Sequence, residues 1–184
     1  MILKNMNQQN KKYIIIAGIV LLLLIRKKVN ASDLIARFEG IIRDKNDPNK
    51  IIAYKDTAGV WTIGYGNTFN PFTGTKVKEG DVIDHKTALQ WLNKDVETRQ
   101  KAIKKLIKVP VTANQLSALT SIAYNIGLFA FQKSSILTNL NKKDYKKAAD
   151  SFMLYNKARN NAGILVYNEG LNRRRKLEKD LFLS

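Results

Sequence analysis

Three side chains in the first third of the chain have the types and spacing to do acid–base chemistry on water: Glu39, Asp56 and Thr62. Glu39 closes the run Asp33 to Phe38, in which Leu34, Ile35 and Phe38 keep the i, i+1, i+4 spacing of a helix face and Ser32 is placed to cap the start. A carboxyl at the inner end of such a helix is partly desolvated, which favours its protonated form. Asp56 follows Ile51, Ile52, Ala53 and Tyr54, a strand entering a turn at which Gly59 can take a positive φ. Val60 to Tyr65 then alternates, with Val60, Thr62 and Gly64 on one face and Trp61, Ile63 and Tyr65 on the other. Asp56 and Thr62 therefore sit near opposite sides of one turn, within reach of a common water. Two carboxyls in unlike surroundings make an acid and a base, the pair that glycoside hydrolysis requires. Taken singly, each residue has a plainer role: a solvated helix end for Glu39, an Asx turn for Asp56, an ordinary strand position for Thr62.

Other chemistries lack their parts. The chain has one histidine and no cysteine, so no disulfide, serine triad or zinc constellation is expected, and neither metal nor cofactor is predicted. His85 follows Asp84 at a helix start and is expected at the surface.

The elements that must position these groups come next along the chain. Asp84 can cap a helix through Ala88, Leu89, Leu92, Val96, Ile103 and Leu106, which Pro110 breaks. Thr112 and Gln115 have capping-box spacing for a second helix, ended by Gly127. Further helices are predicted over about 134–141, 144–155 and 171–182. A short helix, a small β-hairpin lobe and then helices make an α+β fold with segregated lobes, the cleft lying between them.

The segment YKDTAGVWTIGYGNT, from Tyr54 to Thr68, together with Phe38-Glu39-Gly40, resembles the phage-type lysozymes, the endolysin muramidases of tailed bacteriophages. Their pattern is Glu, then Asp, then Thr after five intervening residues inside a TIGYG-like hairpin. The blocks VKEGDVIDHKTALQWLNKDV, VPVTANQLSALTSIAYNIG, LNKKDYKKAADSFMLYNKA and GLNRRRKLEKDLFLS resemble later parts of the family in the same order, so the likeness covers roughly residues 32–184. It implies a lysozyme-like fold and hydrolysis of the β-1,4 bond between N-acetylmuramic acid and N-acetylglucosamine, in host-cell lysis. Glu39 would then be the general acid, Asp56 would activate or orient the attacking water and Thr62 would hold it. Inversion at the anomeric carbon is implied, with carboxyls roughly 6.5–9.5 Å apart. Tyr124 and Asn125 hold positions that line the saccharide cleft in relatives, although their apolar helix suits a core equally well. An arginine of the RRxxE element supports the active-site glutamate in the family, and Arg174 and Arg175 are equal candidates for it, three to four residues before Glu178. The chain departs from the pattern twice. Sixteen residues separate Glu39 from Asp56 where eight are usual, the surplus falling in the polar stretch Arg43 to Lys50, expected as a surface loop. Asn67 stands where many relatives have His, for which an effect on stability or pH response is expected. These departures motivate the alternative of a catalytically degraded relative that binds peptidoglycan or serves as a virion component.

Net charge is +17, from 32 basic and 15 acidic residues. Six cations precede Ala31, leaving 26 basic against 15 acidic residues beyond it, a balance suited to the anionic cell wall. The cations are spread along helices without a nucleic-acid-binding motif, so nucleic acid is not an expected partner. Tyr13 to Ile25 is an apolar run of thirteen residues between Lys11-Lys12 and Arg26-Lys27-Lys28, spanning roughly 20 Å as a helix. It is short for a membrane span unless the flanking lysines snorkel, and the cations after it disfavour cleavage. The expected organisation is a signal-anchor segment at 1–30 and one catalytic domain at 31–184, with no separate wall-binding module. A membrane-held monomer, its catalytic domain exported towards the wall, is predicted, although the flanking charges nearly balance and leave the orientation open.

Overall fold

The computed structural model describes residues 29–184, apart from positions 57 and 161. The apolar run from Tyr13 to Ile25 lies outside the described residues. Among those described, no helix is long and apolar enough to cross a membrane.

Helix α1, Ala31–Ala36, is capped by Asn30, whose side chain accepts from the Asp33 amide. The cap is thus two residues earlier than Ser32. The chain continues as a turn in which the amides of Phe38 and Glu39 both donate to the Ile35 carbonyl, so Glu39 is held by α1 without belonging to it. Leu34 and Ile35 are buried as their spacing implied.

Two short antiparallel strand pairings follow. Strand β1, Lys50–Ile52, pairs with β4, Val82–Asp84, in the register Ile51 to Ile83. Strand β2, Tyr54–Lys55, pairs with β3, Trp61–Thr62, setting Tyr54 opposite Thr62 and Lys55 opposite Trp61. The predicted alternation stops at Thr62. Gly64 takes φ +60° and a β-carbon there would stand 3.4 Å from that of Ala88, so the chain turns back tightly against the following helix, and Thr62, Ile63, Gly64 and Tyr65 are all buried. The polar stretch before β1 is also more ordered than a plain loop. The Asp44 side chain accepts from the amides of Asn46 and Asp47, and Arg43 and Ile51 form a bridge, so the extra residues make a small hairpin on the outer edge of β1.

The long helix α2, His85–Leu106, starts at Asp84, whose side chain takes the Thr87 amide. It serves both lobes. Ala88, Leu92 and Val96 pack with Ile35, Ile51, Ile63 and Val77, whereas Ile103 belongs to a second core with Leu119, Ile122, Phe131, Ile136, Phe152 and Phe182. Helix α3, Ala113–Ile126, carries the reciprocal capping box of Thr112 and Gln115 and ends at Gly127. Then come α4, Leu128–Gln132, α5, Ser135–Asn141, and α6, Tyr145–Ser151, continued by a 3-10 turn at Phe152–Tyr155. The hairpin of β5, Lys157–Arg159, and β6, Leu165–Tyr167, leads to α7, Glu169–Leu183. A small β lobe and a larger helical lobe joined by α2 give the expected α+β architecture.

Candidate active site

Glu39 emerges from the turn after α1 and meets α7. Its Oε1 lies 2.7 Å from Nη1 of Arg174, whose guanidinium is almost wholly enclosed and stacks over the Phe38 ring. Arg174 also donates through Nε to Glu178 Oε1, at 3.1 Å, and through Nη2 to the Ser121 carbonyl. Of the two candidate arginines it is therefore Arg174 that touches Glu39. Arg175 turns the other way: its Nε faces Glu178 Oε2 at 2.8 Å and its Nη2 donates to Asn125 Oδ1 and Glu178 Oε1. Burial pushes the Arg175 guanidinium down to about 10, with Glu178 opposing the shift, so it remains a cation at neutral pH.

Asp56 starts the turn of the β2–β3 hairpin, where Gly59 takes φ +77°. Its Oδ1 accepts from the amides of Ala58 and Val60, at 2.9 and 2.8 Å, so the Asx turn is real. The Thr62 hydroxyl donates to the Val60 carbonyl at 3.1 Å, which leaves the oxygen able to accept. Because Tyr54 pairs with Thr62, Asp56 and Thr62 lie on the same face of the ribbon, diagonal to each other. Tyr54 joins this face to the acid. Its hydroxyl is pushed up by burial first, then by Glu39 and then by Asp56, so both carboxylates act on one phenol.

Glu39 borders a cavity of about 510 Å³ lined also by Arg37, Asn125, Asn168, Arg173 and Arg174. A larger surface depression, about 630 Å³, runs between Phe72 and Gln90, Asn93, Lys94 and Glu97 and includes neither Glu39 nor Asp56. Among the described residues no group of acidic or histidine side chains could hold a metal ion.

The family model for phage lysozyme matches residues 44–178, a span that includes Asp56, Thr62, Arg174 and Glu178. The chain belongs to the phage lysozyme family. An endolysin of Acyrthosiphon pisum secondary endosymbiont phage 1 is 39% identical over 151 residues, 82% of this chain and 93% of the relative. A SAR-endolysin of Enterobacteria phage P21 is 32% identical over 132 residues, 72% of this chain and 74% of that one. Among solved structures, an endolysin from Escherichia coli O157:H7 phage FAHEc1 superposes with a TM-score of 0.72 at 36% identity, over 87% of this chain and 93% of its own. The protein is a lysozyme, a glycosidase that cleaves the β-1,4 linkage of peptidoglycan in host lysis.

In this lysozyme Asn125 reaches the Glu39 cavity, but its neighbour Tyr124 does not line it. The Tyr124 hydroxyl donates to the Tyr65 carbonyl at 2.7 Å, and its ring lies under Arg99, so it ties the helical lobe to the hairpin. That hydroxyl is pushed up by burial, then by Asp95 and Glu39, and stays a donor. Asn67 is buried with its Oδ1 unpartnered. His85 is exposed as expected, yet its Nε2 lies 3.0 Å from the hydroxyl of buried Tyr65. Tyr54, Arg37 and Ser121 escaped the sequence reading. Ser121 carried no signal, whereas Glu178 was already visible three and four residues from the two arginines.

Proposed function

We propose that this lysozyme uses Glu39 as general acid, Asp56 as the group that orients and deprotonates water, and Thr62 as the second acceptor on that water. The observation that carries the reading is the pairing of two differently held carboxyls: Glu39 fixed by Arg174 at 2.7 Å, and Asp56 fixed through its Oδ1 by two amides of the hairpin turn. A water donating one hydrogen to Asp56 Oδ2 and the other to Thr62 Oγ1 keeps a lone pair for the anomeric carbon. Glu39 gives its proton to the departing glycosidic oxygen, and the product inverts. Asn125 contacts the saccharide through its amide nitrogen, since its Oδ1 is taken by Arg175. Purified protein should release reducing ends from sacculi, and Glu39→Gln and Asp56→Asn should each remain folded while losing most of that activity. Full activity in either variant rejects its role. Proton NMR of the first-formed anomer tests inversion, and a retained β-anomer contradicts the role of Asp56.

The segment 1–30 acts in this reading as a signal anchor, with the monomeric domain 31–184 exported to the wall. The likeness to a SAR-endolysin and the apolar run from Tyr13 to Ile25 support it. Protease added to spheroplasts should digest the catalytic domain, whereas complete protection in energised cells rejects export.

A further inference from the structure

Behind the contact between Arg174 and Glu39 lies a buried layer that touches no solvent and, in the roles above, no substrate. Glu178 is fully enclosed and its Oε1 accepts from Ser121 Oγ at 2.6 Å, Arg174 Nε at 3.1 Å and Arg175 Nη2 at 3.2 Å. Arg175, also fully enclosed, presses Nε against the other carboxylate oxygen. Every group facing Glu178 is thus a donor, the arrangement that suits an anion. Burial is the largest influence on Glu178 and pushes it up, and Arg175, Arg174 and Ser121 oppose that shift in part.

Two consequences follow for Glu39. The bond to Nε fixes the plane of the Arg174 guanidinium, and that plane aims Nη1 at Glu39. The charges also balance: with Glu39 ionised, two carboxylates meet two guanidiniums, and with Glu39 protonated the four groups carry one net positive charge. Without Glu178, Glu39 would face two uncompensated cations, which would strip its proton at lower pH. Of the other charged or titratable groups, Tyr54 from β2 and Tyr124 from α3 feel the Glu39 charge, Asp56 from the hairpin turn acts on the same Tyr54, and Arg173 from α7 and Arg37 from its own segment line the Glu39 cavity.

We propose that Glu178 is a positioning residue for the reaction, whose buried carboxylate both aims Arg174 and offsets Arg175, so that Glu39 can hold the proton it must deliver. The inference rests on Glu39 being the general acid, and its test separates the two. The side-chain carboxyl of Glu39, recognised by its disappearance in Glu39→Gln, is titrated by carbon-13 NMR in the full chain in detergent micelles, beside the pH profile of sacculus hydrolysis. In Glu178→Gln the midpoint should fall by about one unit or more, in Arg175→Gln it should rise, and in the double variant it should return to within about half a unit of the parent. The alkaline limb of activity should follow in each case. Loss of packing destabilises both single variants alike and does not move a titration in opposite directions. Midpoints that stay put, or move the same way, overturn the proposal. Should Glu178→Gln not fold, Arg175→Gln carries the test alone, and an unmoved or lowered midpoint overturns it. Activity surviving in Glu39→Gln rejects the acid assignment, while the NMR midpoints still decide the role of Glu178.

Discussion

Replacing Arg174 with lysine keeps the charge but removes the fork that reaches three acceptors in three directions, at 2.7 Å to Glu39, 3.1 Å to Glu178 and 3.3 Å to the Ser121 carbonyl. A single ammonium on a flexible stem can meet one carboxylate well and abandons the others. Losing one charge-assisted bond, about 2 kcal/mol, and the bond to the Ser121 carbonyl, about 1 kcal/mol, gives a destabilisation of about 3 kcal/mol. The site is enclosed, with the Arg174 side chain only 4% exposed, so solvent repays little of it. For a domain of about 150 residues this lowers the melting temperature by about 6–12 °C. Differential scanning calorimetry at neutral pH, with guanidinium unfolding as a second measure, reads the change. A decrease under about 3 °C would show that lysine satisfies the site and that the fixed guanidinium plane is not what holds these three contacts together.

The remaining predictions concern the hairpin, the contact between the lobes and a helix cap. Asp56→Asn keeps an oxygen for the Ala58 and Val60 amides, so calorimetry should find its melting temperature within about 2 °C of the parent while sacculus hydrolysis falls by about 10²–10⁴-fold. Tyr124→Phe leaves the Tyr65 carbonyl without its donor and should cost about 1–2 kcal/mol in urea unfolding, with reduced activity from a loosened hairpin. The side-chain and backbone bonds from Thr87, followed by the nearby Lys86 and His85, hold the Asp84 carboxyl below its ordinary value. Its contribution is therefore present above the unfolded value of about 4 and lost as pH falls through the lower folded one. Asparagine caps without titrating, so melting curves of Asp84→Asn should show a shallower acid decline below about pH 4 than the parent.

What could be read from sequence was what neighbouring residues decide. Asp84, Thr112 with Gln115, Ser134 and Asp144 each cap a helix through a bond spanning three residues, and all four starts matched. Glu39, Asp56 and Thr62 stand out as candidates because their spacing is itself the signal. The choice between Arg174 and Arg175 could not be made the same way: adjacent residues on a helix point about 100° apart, and only the packing of α7 against α3 decides which one faces Glu39. The bond from Ser121 to Glu178 joins residues 57 positions apart and leaves no local trace. The β5–β6 hairpin was missed because Leu165, Val166 and Tyr167 are all exposed, so the alternation that announces a half-buried strand is absent. The stretch from Arg43 to Lys50 lies at the surface as its polar composition implies, but its Asx bonds give it a hairpin shape that composition does not encode.

The tie between the lobes places its whole genetic burden on one position. Tyr124 supplies the donor, but the acceptor is the main-chain oxygen of residue 65, which every amino acid possesses. Mutational drift at 65 can erase the contact with His85 and disturb local packing without deleting that acceptor, whereas a single codon change at 124 removes the donor. Over a lineage, variation should therefore be tolerated unequally at the two tyrosines, with residue 124 holding a hydroxyl long after residue 65 has exchanged its own.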